Sequence, residues 1–171
     1  IESGKIHLEE TGVNLSDIFH EIRTIICGQI NAKQLDFFIN VVDVTDEDVF
    51  CDKTRLIQLL LNILSNAIKF TPSGGTVSMC VRQIHNAADG KGLYEIRIKD
   101  TGIGMSNEFM AHIFEPFTRA EDGSERRTQG TGLGMTISRN IARMMGGDIK
   151  VESTLGVGST FTVTIYLKLQ E

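Results

Sequence analysis

The sequence predicts an α/β two-layer sandwich, an open mixed sheet covered on one face by helices. Three observations predict it. Residues 15–33 and 53–69 carry apolar side chains at helical spacing. Most of the second half breaks into short stretches that alternate apolar and polar. Each of those strands is apolar on one side only, so helices must cover a single face of the sheet. A chain of 171 residues suits one domain with a full-sized core.

Taken in order, the first helix (15–33) has its stripe at Leu15, Ile18, Ile22, Ile25, Ile26 and Ile30. Asn14 is placed to cap it, and Asp17 is favourable in the first turn. Residues 35–42 read as a strand with Leu35, Phe37, Ile39 and Val41 on one face, and Val49–Cys51 as a short partner strand. Asp52 caps a second helix over 53–69, which Pro72 and Gly74-Gly75 terminate. Strands follow at 76–84 (Val77, Met79, Val81 on one face) and 93–100 (Tyr94, Ile96, Ile98). The pattern between 105 and 130 is broken and polar, as in a long loop. A third helix is expected over roughly 132–145 with Leu133, Ile137, Ile141 and Met144 in register, stopped by Gly146-Gly147. Strands at 148–153 and 159–168 close the chain, the last with Phe161, Val163, Ile165 and Leu167 on one face.

Composition narrows the function. Net charge is −5, from 17 basic and 22 acidic residues, which argues against a general nucleic-acid binder. The absence of Trp leaves little for base stacking. No apolar run approaches the roughly 20 residues of a membrane helix, and no secretory signal opens the sequence. Cys27, Cys51 and Cys80 have no CxxC spacing and read as buried free thiols. The histidines His7, His20, His85 and His112 lack metal-ligand spacing. The glycines are concentrated in the second half, in clusters such as Gly102/Gly104 and Gly130/Gly132/Gly134.

Three constellations could carry chemistry. On the second helix Asn62, Asn66 and Lys69 form one stripe, extended backwards by Arg55 and Gln58. A solvent-facing stripe is the competing reading, but Asn is a poorer helix former than Glu or Lys. Neutral amide oxygens suit a Mg²⁺ ion already neutralised by phosphates. The second is Asp100-Thr101-Gly102-Ile103-Gly104. Counting by twos from Ile98 puts Asp100 on the buried face, where a carboxylate is costly unless donors meet it. It is either a turn aspartate bonding its own backbone or an acceptor for the exocyclic amine of a purine. The third is Gly130-Thr131-Gly132-Leu133-Gly134 at a helix start. Each glycine there costs about 1 kcal/mol relative to Ala. Exposed N–H groups at such a terminus bind phosphate. The spacing fits neither G-x-G-x-x-G nor a P-loop. A hinge is the competing and compatible reading, with 118–129 as a mobile lid.

Together these sites resemble the catalytic, ATP-binding domain of sensor histidine kinases, in the superfamily that also holds gyrase-type, heat-shock-chaperone and mismatch-repair ATPases. The resemblance covers nearly the whole chain. Residues 62–71 match the N box, Asp100–Gly104 the first glycine box, Phe114–Phe117 the F box, Gly130–Gly134 the second glycine box, and Gly158–Phe161 the final G-[ST]-x-F element. The resemblance implies a Bergerat-type fold: a mixed, mostly antiparallel sheet covered on one face by about three helices, with a long ATP lid. It implies ATP and Mg²⁺ as cofactors. Asn66 would ligate Mg²⁺ with Asn62 beside it, Lys69 would contact phosphate, and Phe70 would lie against adenine or ribose. Asp100 would accept from the adenine amine in a pocket shaped by Gly102, Ile103 and Gly104. Arg119 would reach the γ-phosphate, while Gly130, Thr131, Gly132, Leu133 and Gly134 wrap the triphosphate. Thr160 would support the adenine pocket. Phe114 and Phe117 would anchor the lid rather than touch ATP.

Hydrolytic relatives carry a glutamate where Asn62 stands, and an amide is a poor general base. Transfer to a protein nucleophile is therefore expected over hydrolysis. His20-Glu21-Ile22-Arg23-Thr24 looks like a phosphoacceptor box, but Ile25 replaces its proline and no room follows for a helical hairpin. Residues 1–13 instead resemble the end of a dimerisation helix and its linker, with the ATP-binding domain over 14–171. The sequence thus implies a protein-histidine kinase domain whose substrate histidine lies on a dimerisation domain of the same parent protein. The isolated domain would be nearly inactive. A response-regulator receiver domain would act downstream, with no nucleic-acid or direct membrane contact and a cytoplasmic location, whether or not the parent is membrane-anchored. The rival readings are a nucleotide-binding regulatory module and a serine kinase or ATPase of the same superfamily.

Overall fold

The computed structural model describes residues 7–86, 89–115 and 134–170. The elements run β1 (Thr11–Asn14), α1 (Leu15–Ala32), β2 (Asp36–Val42), β3 (Asp48–Cys51), α2 (Lys53–Phe70), β4 (Thr76–Asn86), β5 (Lys91–Asp100), α3 (Asn107–Met110), α4 (Gly134–Met144), β6 (Asp148–Thr154) and β7 (Gly158–Leu169). The strands form one sheet in the order β1-β3-β7-β5-β4-β2, with β6 also paired to β7. Among the described residues only β2 and β4 pair in parallel; the other pairings are antiparallel.

The expected alternation sets the layers. Val77, Met79, Val81, Tyr94, Ile96, Ile98, Phe161, Val163, Ile165 and Leu167 are all buried beneath the helices. Helix α1 starts where Asn14 accepts a bond from the Asp17 amide, and α2 where Asp52 accepts from the Arg55 amide. Leu56, Leu59, Leu60, Ile63 and Leu64 are fully buried, so α2 is the central helix of its layer.

Several expectations need correction. Ile25 is 46% exposed, because the covered stripe runs through Ile22, Ile26 and Ile30 and Ile25 lies a third of a turn off it. Val41 is also 46% exposed, at the margin of the edge strand β2. Strand β3 pairs with β1 and β7, not with β2. Thr11–Asn14, assigned mostly to a linker, supplies β1; its pairing is by backbone and needs no apolar alternation. The loop after 105 contains the short helix α3, capped by the Ser106 hydroxyl. On α4 the buried row is Met135, Ser138, Ile141, Ala142 and Met145, not the row ending at Met144, which is 38% exposed. Of the three free cysteines only Cys51 is buried, and burial pushes its thiol up to about 12; Cys27 is exposed.

Candidate functional site

Helix α2 delivers Asn62, Asn66, Lys69 and Phe70 in its last turns. Asn62 faces α4: its amide nitrogen donates to the Gly134 carbonyl at 3.2 Å and to the Ser138 hydroxyl at 3.1 Å. Asn66 and Lys69 are part-buried, and the Lys69 ammonium lies 5.9 Å from the Phe70 ring centre. The Phe70 carbonyl accepts from the Ile103 amide at 3.2 Å, which ties the end of α2 to the turn after β5.

Asp100 ends β5 on the helix-covered face and is 6% exposed. One oxygen, Oδ1, accepts from the Gly102 amide at 2.8 Å and the Ser159 amide at 3.3 Å. Among the described residues no donor reaches Oδ2. Burial raises the pKa of the carboxyl above its ordinary 3.8, against the pull of those two amides. Oδ1 makes the turn that the first reading expects, and Oδ2 stays able to accept. Ile103, beside it, is 51% exposed and offers apolar surface.

Gly102 and Gly104 have a reason the sequence did not reveal. A Cβ on Gly102 would lie 2.5 Å from the Phe70 carbonyl oxygen and 2.9 Å from Asp100 Oδ1. Gly104 has φ +74, and a Cβ there would strike the Thr154 carbonyl. The close approach is to the protein's own backbone.

Helix α4 begins at Gly134 within the described residues. Phe114 is tied to it: the Thr136 hydroxyl donates to the Phe114 carbonyl at 2.8 Å, and the Arg139 guanidinium sits 4.4 Å from its ring centre. Arg139 is held in turn by Asp148 at 2.9 Å. Burial alone would push the Asp148 carboxyl up, but Arg139, the Ile149 amide and Arg143 outweigh it and bring it down to about 2. Arg119, Phe117, Gly130, Thr131, Gly132 and Leu133 lie outside the described residues.

Thr160 is a correction. It pairs with Lys99 on the face opposite Asp100, because side chains alternate along β7. Its neighbour Ser159 is the residue opposite Asp100, and it is 8% exposed with its hydroxyl 2.8 Å from that of Ser153. In G-[ST]-x-F the bracketed position is Ser159, so the motif itself carried that signal. Sequence reasoning also missed Ser138 and Lys33. A buried serine breaks an apolar stripe, and a lone lysine after a helix has no pattern to betray it.

The donor set bears on which groups the site could hold. Among the described residues no group of three or more His, Cys, Asp or Glu could hold a metal ion. Asn66 offers one neutral amide oxygen, so a Mg²⁺ ion would need phosphate oxygens to complete its shell. Asp100 Oδ2 can accept a hydrogen bond, and an ammonium such as that of Lys69 is the kind of group that meets a phosphate.

Residues 51–170 match the family described as histidine kinase-, DNA gyrase B- and HSP90-like ATPase. The chain belongs to that family. It is 38% identical over 167 residues to the sensor histidine kinase GacS of Pseudomonas protegens, covering 98% of this chain and 18% of that relative. The chain thus spans less than a fifth of the length of such a relative. The catalytic domain of histidine kinase ThkA superposes with a TM-score of 0.75 at 26% identity, covering 94% of this chain and 99% of that one. Full-length ShkA in complex with AMPPNP superposes with a TM-score of 0.79 at 26% identity, covering 96% of this chain and 32% of that one. ThkA in complex with the response regulator TrrA gives a TM-score of 0.74 at 26% identity, covering 96% of this chain and 43% of that one. The mixed, mostly antiparallel sheet under a helical layer is the fold of histidine kinase catalytic domains. No helix among the described residues is long and apolar enough to cross a membrane.

Proposed function

We propose that the chain binds Mg-ATP and delivers the γ-phosphoryl group to a histidine on a helical dimerisation domain of the same parent protein. The observation that carries this reading is Asp100, buried with one oxygen held by two amides and the other left to accept. Asp100 Oδ2 accepts from the adenine amine, with Ile103 against the base and Ser159, rather than Thr160, backing the carboxylate. Phe70 lies at the adenine or ribose. Lys69 contacts phosphate, and Asn66 gives its amide oxygen to Mg²⁺, which supplies charge neutralisation when bound. Gly134, at the start of α4, would offer its N–H group to the triphosphate, and so would the glycine-box residues 130–133. Arg119 reaches the γ-phosphate.

The side chain of Asn62 is committed to α4, and an amide is no general base, so water is not activated from this position. That favours transfer over hydrolysis. The nucleophile's own base would come with the dimerisation domain, so the isolated domain is nearly inactive. His20, exposed on α1, is not the acceptor. A receiver domain takes the phosphoryl group next, as the ThkA–TrrA complex suggests by analogy. The domain works in the cytoplasm.

Titration calorimetry with Mg-ATP and Mg-GTP tests the site. ATP is expected to bind and GTP to bind at least about tenfold more weakly, since guanine presents a carbonyl where adenine presents its amine. Equal affinities would remove Asp100 from base recognition.

A further inference from the structure

The last four carbonyls of a helix have no partner within it. At the end of α2 every one of them is met from outside the helical ladder. The Thr71 hydroxyl donates to the Ala67 carbonyl at 2.6 Å, and the Ile103 amide donates to that of Phe70. The two between are met by one residue. The Lys33 ammonium donates to the Ile68 carbonyl at 2.8 Å and to the Lys69 carbonyl at 2.7 Å, from 35 and 36 residues away.

Lys33 is itself fixed. It is the C-cap of α1: its amide donates to the Gln29 carbonyl and the Gln34 amide to that of Asn31, both at 3.1 Å. The next residue, Gln34, has φ 59, and its carbonyl accepts from the Gly74 amide at 2.9 Å. The Asp36 amide donates to the Gly75 carbonyl at 2.9 Å. Segment 33–36 is thus clamped to the turn that follows α2. A cation at the negative end of a helix is favourable, and charge-assisted bonds are the stronger kind.

We propose that Lys33 is a positioning residue for the nucleotide site. It touches no ligand. Its ammonium holds the turn of α2 that carries Lys69 and Phe70. Through the Phe70 carbonyl and the Ile103 amide it also holds the turn that follows Asp100. Without it, two part-buried carbonyls lose their partner, and the cheapest relief is fraying of that turn. Fraying moves Lys69 and Phe70 and frees the Ile103 amide. The inference rests on the nucleotide reading of the site.

The test compares the unmodified 171-residue chain with Lys33→Met, Lys33→Arg and Tyr94→Phe, each below its melting range. Tyr94→Phe removes a 2.6 Å bond from the Tyr94 hydroxyl to the Asp46 carbonyl and serves as the stability control. Mg-ADP affinity is expected to fall about fivefold or more in Lys33→Met, to recover largely in Lys33→Arg, and to stay within about twofold in Tyr94→Phe. Amide exchange at Ile103 should quicken in Lys33→Met without nucleotide. If Lys33→Met does not fold, Lys33→Gln replaces it with an intermediate loss expected. Binding by Lys33→Met or Lys33→Gln within about twofold of the unmodified chain overturns the proposal while leaving the nucleotide reading intact. An equal affinity loss in Tyr94→Phe overturns it too. No binding by the unmodified chain overturns both.

Discussion

The amide nitrogen of Asn62 donates to the buried hydroxyl of Ser138 across the contact between α2 and α4, at 3.1 Å. The same nitrogen donates to the Gly134 carbonyl, and a carbonyl only accepts, so the orientation of the amide is fixed. Ser138 is wholly buried and its hydroxyl in turn donates to the Leu59 carbonyl at 3.4 Å. The N-box residue therefore pins the first turn of the helix that follows the second glycine box. Asn62→Ala and Ser138→Ala are each expected to cost about 1 kcal/mol in denaturant unfolding, with the double variant losing less than the sum by about 0.5 kcal/mol or more. Strict additivity would mean that the pair does not interact.

Asp100→Asn separates stability from binding. Asn keeps an oxygen for the Gly102 and Ser159 amides but turns the free acceptor into an NH₂ donor. The loss of adenine-nucleotide affinity is expected to be about tenfold or more, as for a site left with mismatched polar groups. The folded-state pKa of Asp100 is raised, so its contribution to stability is full below the unfolded pKa of 3.8 and is lost as pH rises through the folded value. At neutral pH the neutral Asn removes that burial cost, and a higher Tm is expected. Nucleotide affinity of the unmodified chain should weaken on acidification, with the step displaced upward from the ordinary 3.8, and the variant should not share that step. An unchanged affinity and an unchanged Tm would contradict the assignment.

Gly102→Ala places a methyl 2.5 Å from the Phe70 carbonyl oxygen, which is backbone and cannot swing away. A loss of about 1–3 kcal/mol is expected, of the size seen on overpacking. It should be the same in nucleotide-free protein, because the obstructed partner is the chain itself. A variant of normal stability that fails only in binding would restore the ligand-approach explanation for this glycine.

Thr160→Val is expected to leave Mg-ADP affinity within about twofold, because its side chain stands on the uncovered face opposite Asp100. A large loss would return Thr160 to the nucleotide site.

The sandwich was legible because alternation is a strong signal where one face is buried, as Tyr94, Ile96 and Ile98 show against Glu95, Arg97 and Lys99. Asp100 was legible for the same reason, as the polar residue on the buried parity. Strand β1 was not, since Thr11–Asn14 contains one large apolar residue and is held by backbone pairing to β3. Helix α4 was placed correctly but rotated: Ile137 and Met144 compete with Met135 and Met145 for the core, and the true row contains a serine. That serine is affordable only because Asn62 and Leu59, distant in sequence, satisfy its hydroxyl. Lys33 was invisible for a related reason, its partners being two backbone carbonyls of another helix. Side-chain patterns report burial; they do not report which distant carbonyl needs a donor.

The most direct measurement combines this chain, Mg-ATP labelled at the γ-phosphate, and a separately produced helical hairpin carrying the parent protein's phosphoacceptor histidine. Acid-labile, alkali-stable label on that histidine is expected, together with negligible phosphate release by this chain alone. ATP binding without any label on the hairpin would contradict the kinase reading and leave a nucleotide-binding module.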